Sequence, residues 1–213
     1  CARASFRGAR LDGATLWRAA LAGAAFSEAN LTRAGLSGAR AGGADFRDAD
    51  LGEAILEGGD FRRARFTGAK LDGAVLSRAD LRDAQLAGAR LRDAALDQAQ
   101  LPPTLDDADC AGARFQGCAL AGARLAGMTL VGCDFTGADL TGAVLSGADL
   151  HGADLTQARL DGADLSGAVG LTEPALAAAR SAEGAVLPER LGAPLSGLER
   201  EVTGNVIRLA RRS

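Results

Sequence analysis

The chain has 213 residues, 47% hydrophobic but only 4% aromatic, with 29 glycines, no tyrosine and a net charge of −3 at pH 7. That length suits one domain, and no apolar run approaches the roughly 18–20 residues of a membrane span. Acids alternate with bases instead of leaving a basic stripe interleaved with aromatics, which argues against direct nucleic-acid binding.

From Phe6 to Leu101, and again from Leu105 to Leu165, a large apolar residue returns every five positions, giving 33 units. Alanine stands two residues before almost every such centre, and all seven phenylalanines are centres. Ala41 is the exception at a centre in the first run, and Gly59 the exception at the small position. In the second run Cys110 takes a centre, while Pro103, Cys118, Met128 and Cys133 take small positions. Self-similarity at a fixed period outranks local propensity.

Neither regular period accommodates a step of five. On a helix it spreads the centres around the whole circumference, and on a strand it sends successive centres to opposite faces. The chain must therefore bend once per unit, with the centre and the small residue inside and the other three residues in water. Phe6, Phe26, Phe46 and Phe66 are twenty apart, as are Phe115 and Phe135. Four units per coil stack these rings on one another, which predicts four-sided coils, about eight of them, in an all-β solenoid. Units such as Ala138-Asp139-Leu140, Ala148-Asp149-Leu150, Ala153-Asp154-Leu155 and Ala163-Asp164-Leu165 resemble those of the pentapeptide-repeat proteins. The resemblance covers about residues 2 to 170 and implies a right-handed quadrilateral β-helix.

Along the chain, Arg62, Arg63, Arg65 and Lys70 beside Asp60 read as mixed, solvated surface, not as a phosphate site. Leu101-Pro102-Pro103-Thr104-Leu105 shortens one step to four, and its prolines remove two ladder donors, so the tube is expected to kink or slip in phase at 101–105. After Leu165 the repeat dies at Gly170-Leu171, which sets the division between the 1–170 repeat domain and a 171–213 helical cap. Thr172-Glu173-Pro174 starts a short helix over the open end of the tube, with Gly184 as its stop. Val186-Leu187-Pro188 is expected to return along the edge. A second helix is expected at 197–211, its apolar face Leu198, Val202, Val206 and Leu209 being a candidate capping or homodimer surface.

The charge is uneven: residues 129–170 carry six Asp against Arg159 alone. Asp134, Asp139, Asp149, Asp154 and Asp164 form a candidate acidic partner-binding surface, although a carboxylate just before a centre also suits a corner, where it bonds nearby backbone N–H. His151, the only histidine, sits one after a centre and faces out, with no loop to assemble a triad around it. Cys110, Cys118 and Cys133 fall at inward positions and read as small buried hydrophobes of a reducing, cytoplasmic compartment; without clustered ligands no metal site is expected. Starting at Cys1, the chain reads as a fragment or a processed product. A uniform rod has no concave site, so no catalytic residue and no cofactor are assigned. Two non-enzymatic roles remain: a protein-interaction or structural scaffold, and the role that the family resemblance adds. Some pentapeptide-repeat proteins bind DNA gyrase or topoisomerase IV by imitating duplex DNA, and so protect it from quinolones.

Overall fold

The computed structural model describes residues 1–189 and 191, and the backbone of 198–203 and 206–211. In every unit but the one at Leu101 the centre's carbonyl accepts from the amide three residues on, as Phe6 does from Ala9 at 3.0 Å and Leu31 from Ala34 at 2.9 Å. The residue before that amide has positive φ: +63° at Gly8, but also +59° at Arg33 and +56° at Asp48. This is the geometry of a type II corner, which glycine enters freely and other residues at about 1 kcal/mol.

Between corners the residue before each centre pairs in parallel with its counterpart one coil on: Ser5 with Ala25, Arg10 with Asn30, Thr15 with Gly35, Ala20 with Arg40. Twenty residues therefore make a coil of four faces, numbered here 1 to 4 in that order. Ladder bonds run between coils on every face, for example Phe46 N to Arg65 O at 2.7 Å and Arg65 N to Ala44 O at 2.9 Å.

The centres and small residues fill one continuous core from Leu21 to Leu187. On face 1 the rings of Phe6, Phe26, Phe46 and Phe66 stack at 4.9–5.0 Å, nearly parallel. Phe115 and Phe135 stack likewise, at 5.1 Å, on face 3. Phe61 is a ring out of column, on face 4, and meets Phe46 edge-on at 6.1 Å. The two exceptions in the first run make room for it. Ala41 lies one coil below it on the same face, and a Cβ at Gly59 would come within 2.4 Å of the Phe61 ring.

The expected phase slip is present. Arg90 pairs with Asp109 and Ala95 with Arg114, a step of nineteen, and the step of twenty returns at Thr104 and Arg124. Among the described residues no bridge joins Gln85 to Thr104 or Gln100 to Ala119. Pro102 and Leu105 are buried, so the core crosses the break although the ladder lapses there on faces 1 and 4.

The end of the chain departs from expectation in four respects. Helix α1 (Glu173–Ala178) forms, with Thr172 Oγ1 accepting from Ala175 N and Leu176 buried, but it ends at Ala179, not Gly184. Nor does the repeat end at Gly170. Ser181 pairs with Arg159 and Val186 with Asp164, steps of twenty-two, and Ala182 and Leu187 re-enter the core. Helix α1 thus replaces one unit and adds two residues to the coil, and Gly184, at φ +72°, is a corner of the resumed repeat. Strand β1 (Val186–Leu187) is accordingly part of the last coil, not a return along its edge.

The expected helix at 197–211 is instead two strands, β2 (Leu198–Thr203) and β3 (Val206–Arg211), paired antiparallel from Leu198–Arg211 to Thr203–Val206. Strand β3 also pairs with β1, Val186 opposite Arg208, giving the order β1-β3-β2. Only Gly204 and Asn205 separate the two strands, a hairpin spacing, and β-branched Val202, Thr203, Val206 and Ile207 flank it. The hairpin, not a helix, supplies a partner for the final coil's edge. The side chains of Leu198, Val202, Val206 and Leu209, named above as a dimer surface, lie outside the described residues.

Candidate functional site

A four-sided coil fixes where each outward side chain points. The residue before a centre stands in the middle of a face, and the two after it stand at a corner. The five acidic candidates all occupy mid-face positions, but on different faces. Asp164 is on face 1, Asp149 on face 2, Asp134 and Asp154 on face 3, and Asp139 on face 4. Only Asp134 and Asp154 are brought together, as direct ladder neighbours. The acidic excess is a ring around the C-terminal half, not a patch.

Each of the five also has a local structural task. One oxygen accepts the backbone N–H two residues on: Asp134 from Thr136 at 2.9 Å, Asp139 from Thr141 at 3.1 Å, Asp149 from His151 at 3.1 Å, Asp154 from Thr156 at 2.8 Å and Asp164 from Ser166 at 2.9 Å. These bonds brace the corner that follows. The hydroxyl of Thr141 and the charge of Arg159 hold the Asp139 carboxyl below its usual range. At Asp134, desolvation would raise the value, yet hydrogen bonds from Gln116 and Thr136 lower it. Exposed His151 places Nδ1 2.6 Å from Asp149 Oδ1, and this contact lowers the Asp149 carboxyl.

The arginine-rich stretch resolves in the same manner. Arg62 binds Asp60 at 2.8 Å and approaches Asp80 at 3.6 Å; Arg65 lies 3.9 Å from Asp45, Lys70 3.6 Å from Asp50 and Arg63 3.8 Å from Asp83. Arg82 closes the row on Asp80 at 2.7 Å. The cations are matched by carboxylates of the same or the neighbouring coil, which leaves no net basic site.

Asp80 has a measurable consequence. The Arg82 guanidinium, with help from the Arg82 amide, holds its carboxyl below the ordinary value. A depressed folded pKa contributes stability above the unfolded pKa of roughly 4, and that contribution is lost as pH falls through the folded value. Asp80→Asn is therefore expected to lower stability by about 1 kcal/mol near neutral pH. Thermal unfolding of both proteins should show the gap closing as pH falls through the acid range below about 4.

The inward cysteines are chemically quiet. Cys118 and Cys133 donate to the carbonyls of Leu96 and Cys110 at 3.0 and 2.9 Å, and burial pushes both thiols up to about 12. Burial raises Cys110 as well. Among the described residues no three His, Cys, Asp or Glu side chains are placed to hold a metal ion. No helix among them is long and apolar enough to cross a membrane.

Comparison with known proteins agrees with this architecture. The profile of the Pentapeptide repeats family matches in eight copies, over residues 1–38, 29–68, 44–83, 60–98, 108–147 and 133–169. Among solved structures, HetL from the cyanobacterium Nostoc, a pentapeptide repeat protein involved in heterocyst differentiation regulation, is 32% identical. The match covers 89% of this chain and 87% of that one, with a TM-score of 0.44. Full-length QnrB1, a plasmid-mediated fluoroquinolone resistance protein, is 20% identical over 84% of this chain and 92% of that one, with a TM-score of 0.35. Rfr23 from the cyanobacterium Cyanothece is 30% identical over 44% of this chain and 51% of that one, with a TM-score of 0.23. No curated protein sequence matches. The family profile spans both halves of the tube and lapses only at the proline break between 98 and 108 before ending at 169, and on that ground the chain belongs to the pentapeptide-repeat family.

Proposed function

We propose that this pentapeptide-repeat protein works without catalysis, as a scaffold whose flat faces engage a protein partner. The observation that carries this reading is the placement of the outward side chains. A right-handed tube of repeating corners displays them in straight rows on four rigid faces, and most of the charged ones are matched by an opposite charge in the same or the neighbouring coil. Rigid rows suit recognition of another surface, because little side-chain entropy is lost on docking. The buried thiols suit a reducing compartment, so we assign the protein to the cytoplasm.

The second reading, a DNA mimic directed at gyrase or topoisomerase IV, needs negative charge that continues along one side of the rod. Here the acidic residues turn with the coil, and among the described residues no mid-face row carries more than two acids in succession: Asp60 and Asp80 adjoin Arg40, and Asp134 and Asp154 adjoin Arg114. A supercoiling assay with purified gyrase decides between the two. The scaffold reading expects no change in supercoiling, and no protection from a quinolone, at any concentration of the wild-type protein. Inhibition or protection that disappears when Asp134, Asp139, Asp149 and Asp154 are all changed to Asn would overturn it.

A further inference from the structure

Over the first five coils the mid-face rows differ in kind. Face 1 carries Asp45 and Arg65; face 2 carries Arg10, Asp50, Lys70 and Arg90; face 4 carries Arg40, Asp60 and Asp80. Face 3 carries Thr15, Gly35, Ile55, Val75 and Ala95, with no charge at all. Ile55 is 41% exposed, and Trp17, the only tryptophan, is 66% exposed at the corner beside this row. The indole lies on the wall above Gly35: a Cβ there would come 2.2 Å from the indole Nε1. The glycine leaves the space that the ring fills, so an apolar strip about 20 Å long runs unbroken from Trp17 to Ala95.

We propose that face 3 of the first five coils is a self-association surface, pairing antiparallel with the same face of a second copy about a twofold axis at Ile55. An isologous contact of this kind sets the first coil against the fifth and the second against the fourth. The raised indole over Gly35 then meets Val75 of the second copy, and Ile55 meets its own counterpart. A parallel arrangement would instead drive the two indoles into the same place. The rim between faces 2 and 3 supports the antiparallel order. It sets Asp12 opposite Arg92 of the second copy, a pair that the twofold axis repeats, and it brings Glu53 to its own counterpart with each carboxylate held by Arg33 of its own copy at 2.9 Å. Within the chain Arg92 reaches Asp109 and Arg33 reaches Glu53, but both contacts are exposed, and the two cations keep half or more of their side-chain surface in water.

The area decides the strength. A strip about 20 Å by 10 Å covers a few hundred Å² per copy, well under the roughly 800 Å² per partner of stable complexes. Association is therefore weak, with a Kd on the order of 0.1 mM.

Sedimentation equilibrium from roughly 10 μM to 1 mM tests this, a range that brackets the expected constant. The weight-average mass should rise from 21.5 kDa toward twice that value, and Trp17 emission should shift to the blue as the indole leaves water. Ile55→Glu should remain monomeric throughout, as should Thr15→Arg, a second outward position that keeps the core intact. Asp12→Arg should weaken association several-fold, and Asp12→Arg combined with Arg92→Asp should restore it. A wild-type mass that stays at 21.5 kDa up to 1 mM would overturn the proposal. So would a dimer that survives Ile55→Glu, which would assign association to another surface, or a charge swap that fails to restore it, which would remove the antiparallel order.

Discussion

Phe46→Asp is expected to unfold the N-terminal stack. Phe46 is fully buried, stacked 5.0 Å from Phe26 and 4.9 Å from Phe66, and its edge meets Phe61. Truncating such a ring alone costs about 3–5 kcal/mol. Each stacked pair adds roughly 0.5–1.5 kcal/mol beyond area burial. A carboxylate in its place has no cation or donor within the tube, so it must either be buried unpaired or draw a proton at further cost. The sum exceeds what a thin core of Leu, Phe and Ala can spare.

Because coils contact only their neighbours, the damage spreads along the stack from the third coil. The C-terminal coils, beyond the lapse in the ladder at Pro102 and Pro103, are expected to keep their structure. Circular dichroism should then show two thermal transitions in place of one, the first at much lower temperature. Phe46→Leu, which keeps the core apolar, should cost only about 1–2 kcal/mol. An unchanged melting temperature for Phe46→Asp would contradict the inward position of the centres.

The tube was legible in the sequence because its cause is local and repeated. A five-residue period fits neither helix nor strand, and the twenty-residue spacing of Phe6, Phe26, Phe46 and Phe66 gives the number of faces before any coordinate is known. The corners were partly hidden. Two after each centre the residue is often Gly, but Arg33, Asp48 and Glu53 take the same positive φ, and ladder bonds on both sides hold them there against their own preference.

The C-terminal segment misled because Leu198, Val202, Val206 and Leu209 have helical spacing. The competing signal was Gly204-Asn205 between β-branched residues, and the unpaired edge of the last coil favours a strand there. The acidic residues are spread over the four faces for a geometric reason. Residues gathered within about forty positions of sequence turn through all four faces of a solenoid, so closeness along the chain does not place Asp139 beside Asp149. The Trp17 strip was legible only once the rows were known, since Gly35 looks like any other glycine until an indole is found above it.

The second large effect concerns the pair of exceptions on face 4. Gly59→Ala is expected to destabilise the protein by about 1–3 kcal/mol, although alanine is the rule at that position in the repeat. The new Cβ would stand 2.4 Å from Phe61 Cε2, 3.1 Å from its Cζ and 3.2 Å from the Leu56 carbonyl oxygen. The ring has little room to retreat, being 6.1 Å from Phe46 and 5.9 Å from Phe66 between centroids. Phe61→Leu alone should also destabilise, by about 1–2 kcal/mol, through the cavity it leaves above Ala41. Combined, the two substitutions recreate the ordinary Ala-x-Leu unit, so the double variant should be more stable than the sum of the single effects by about 1 kcal/mol or more. Denaturant unfolding of all four proteins reads this coupling directly. Additivity within about 0.3–0.5 kcal/mol would mean that Gly59 is small for some reason other than the ring beside it. A favourable coupling would show that the two breaks in the repeat, at Ala41 and Gly59, are accommodations to one out-of-column phenylalanine.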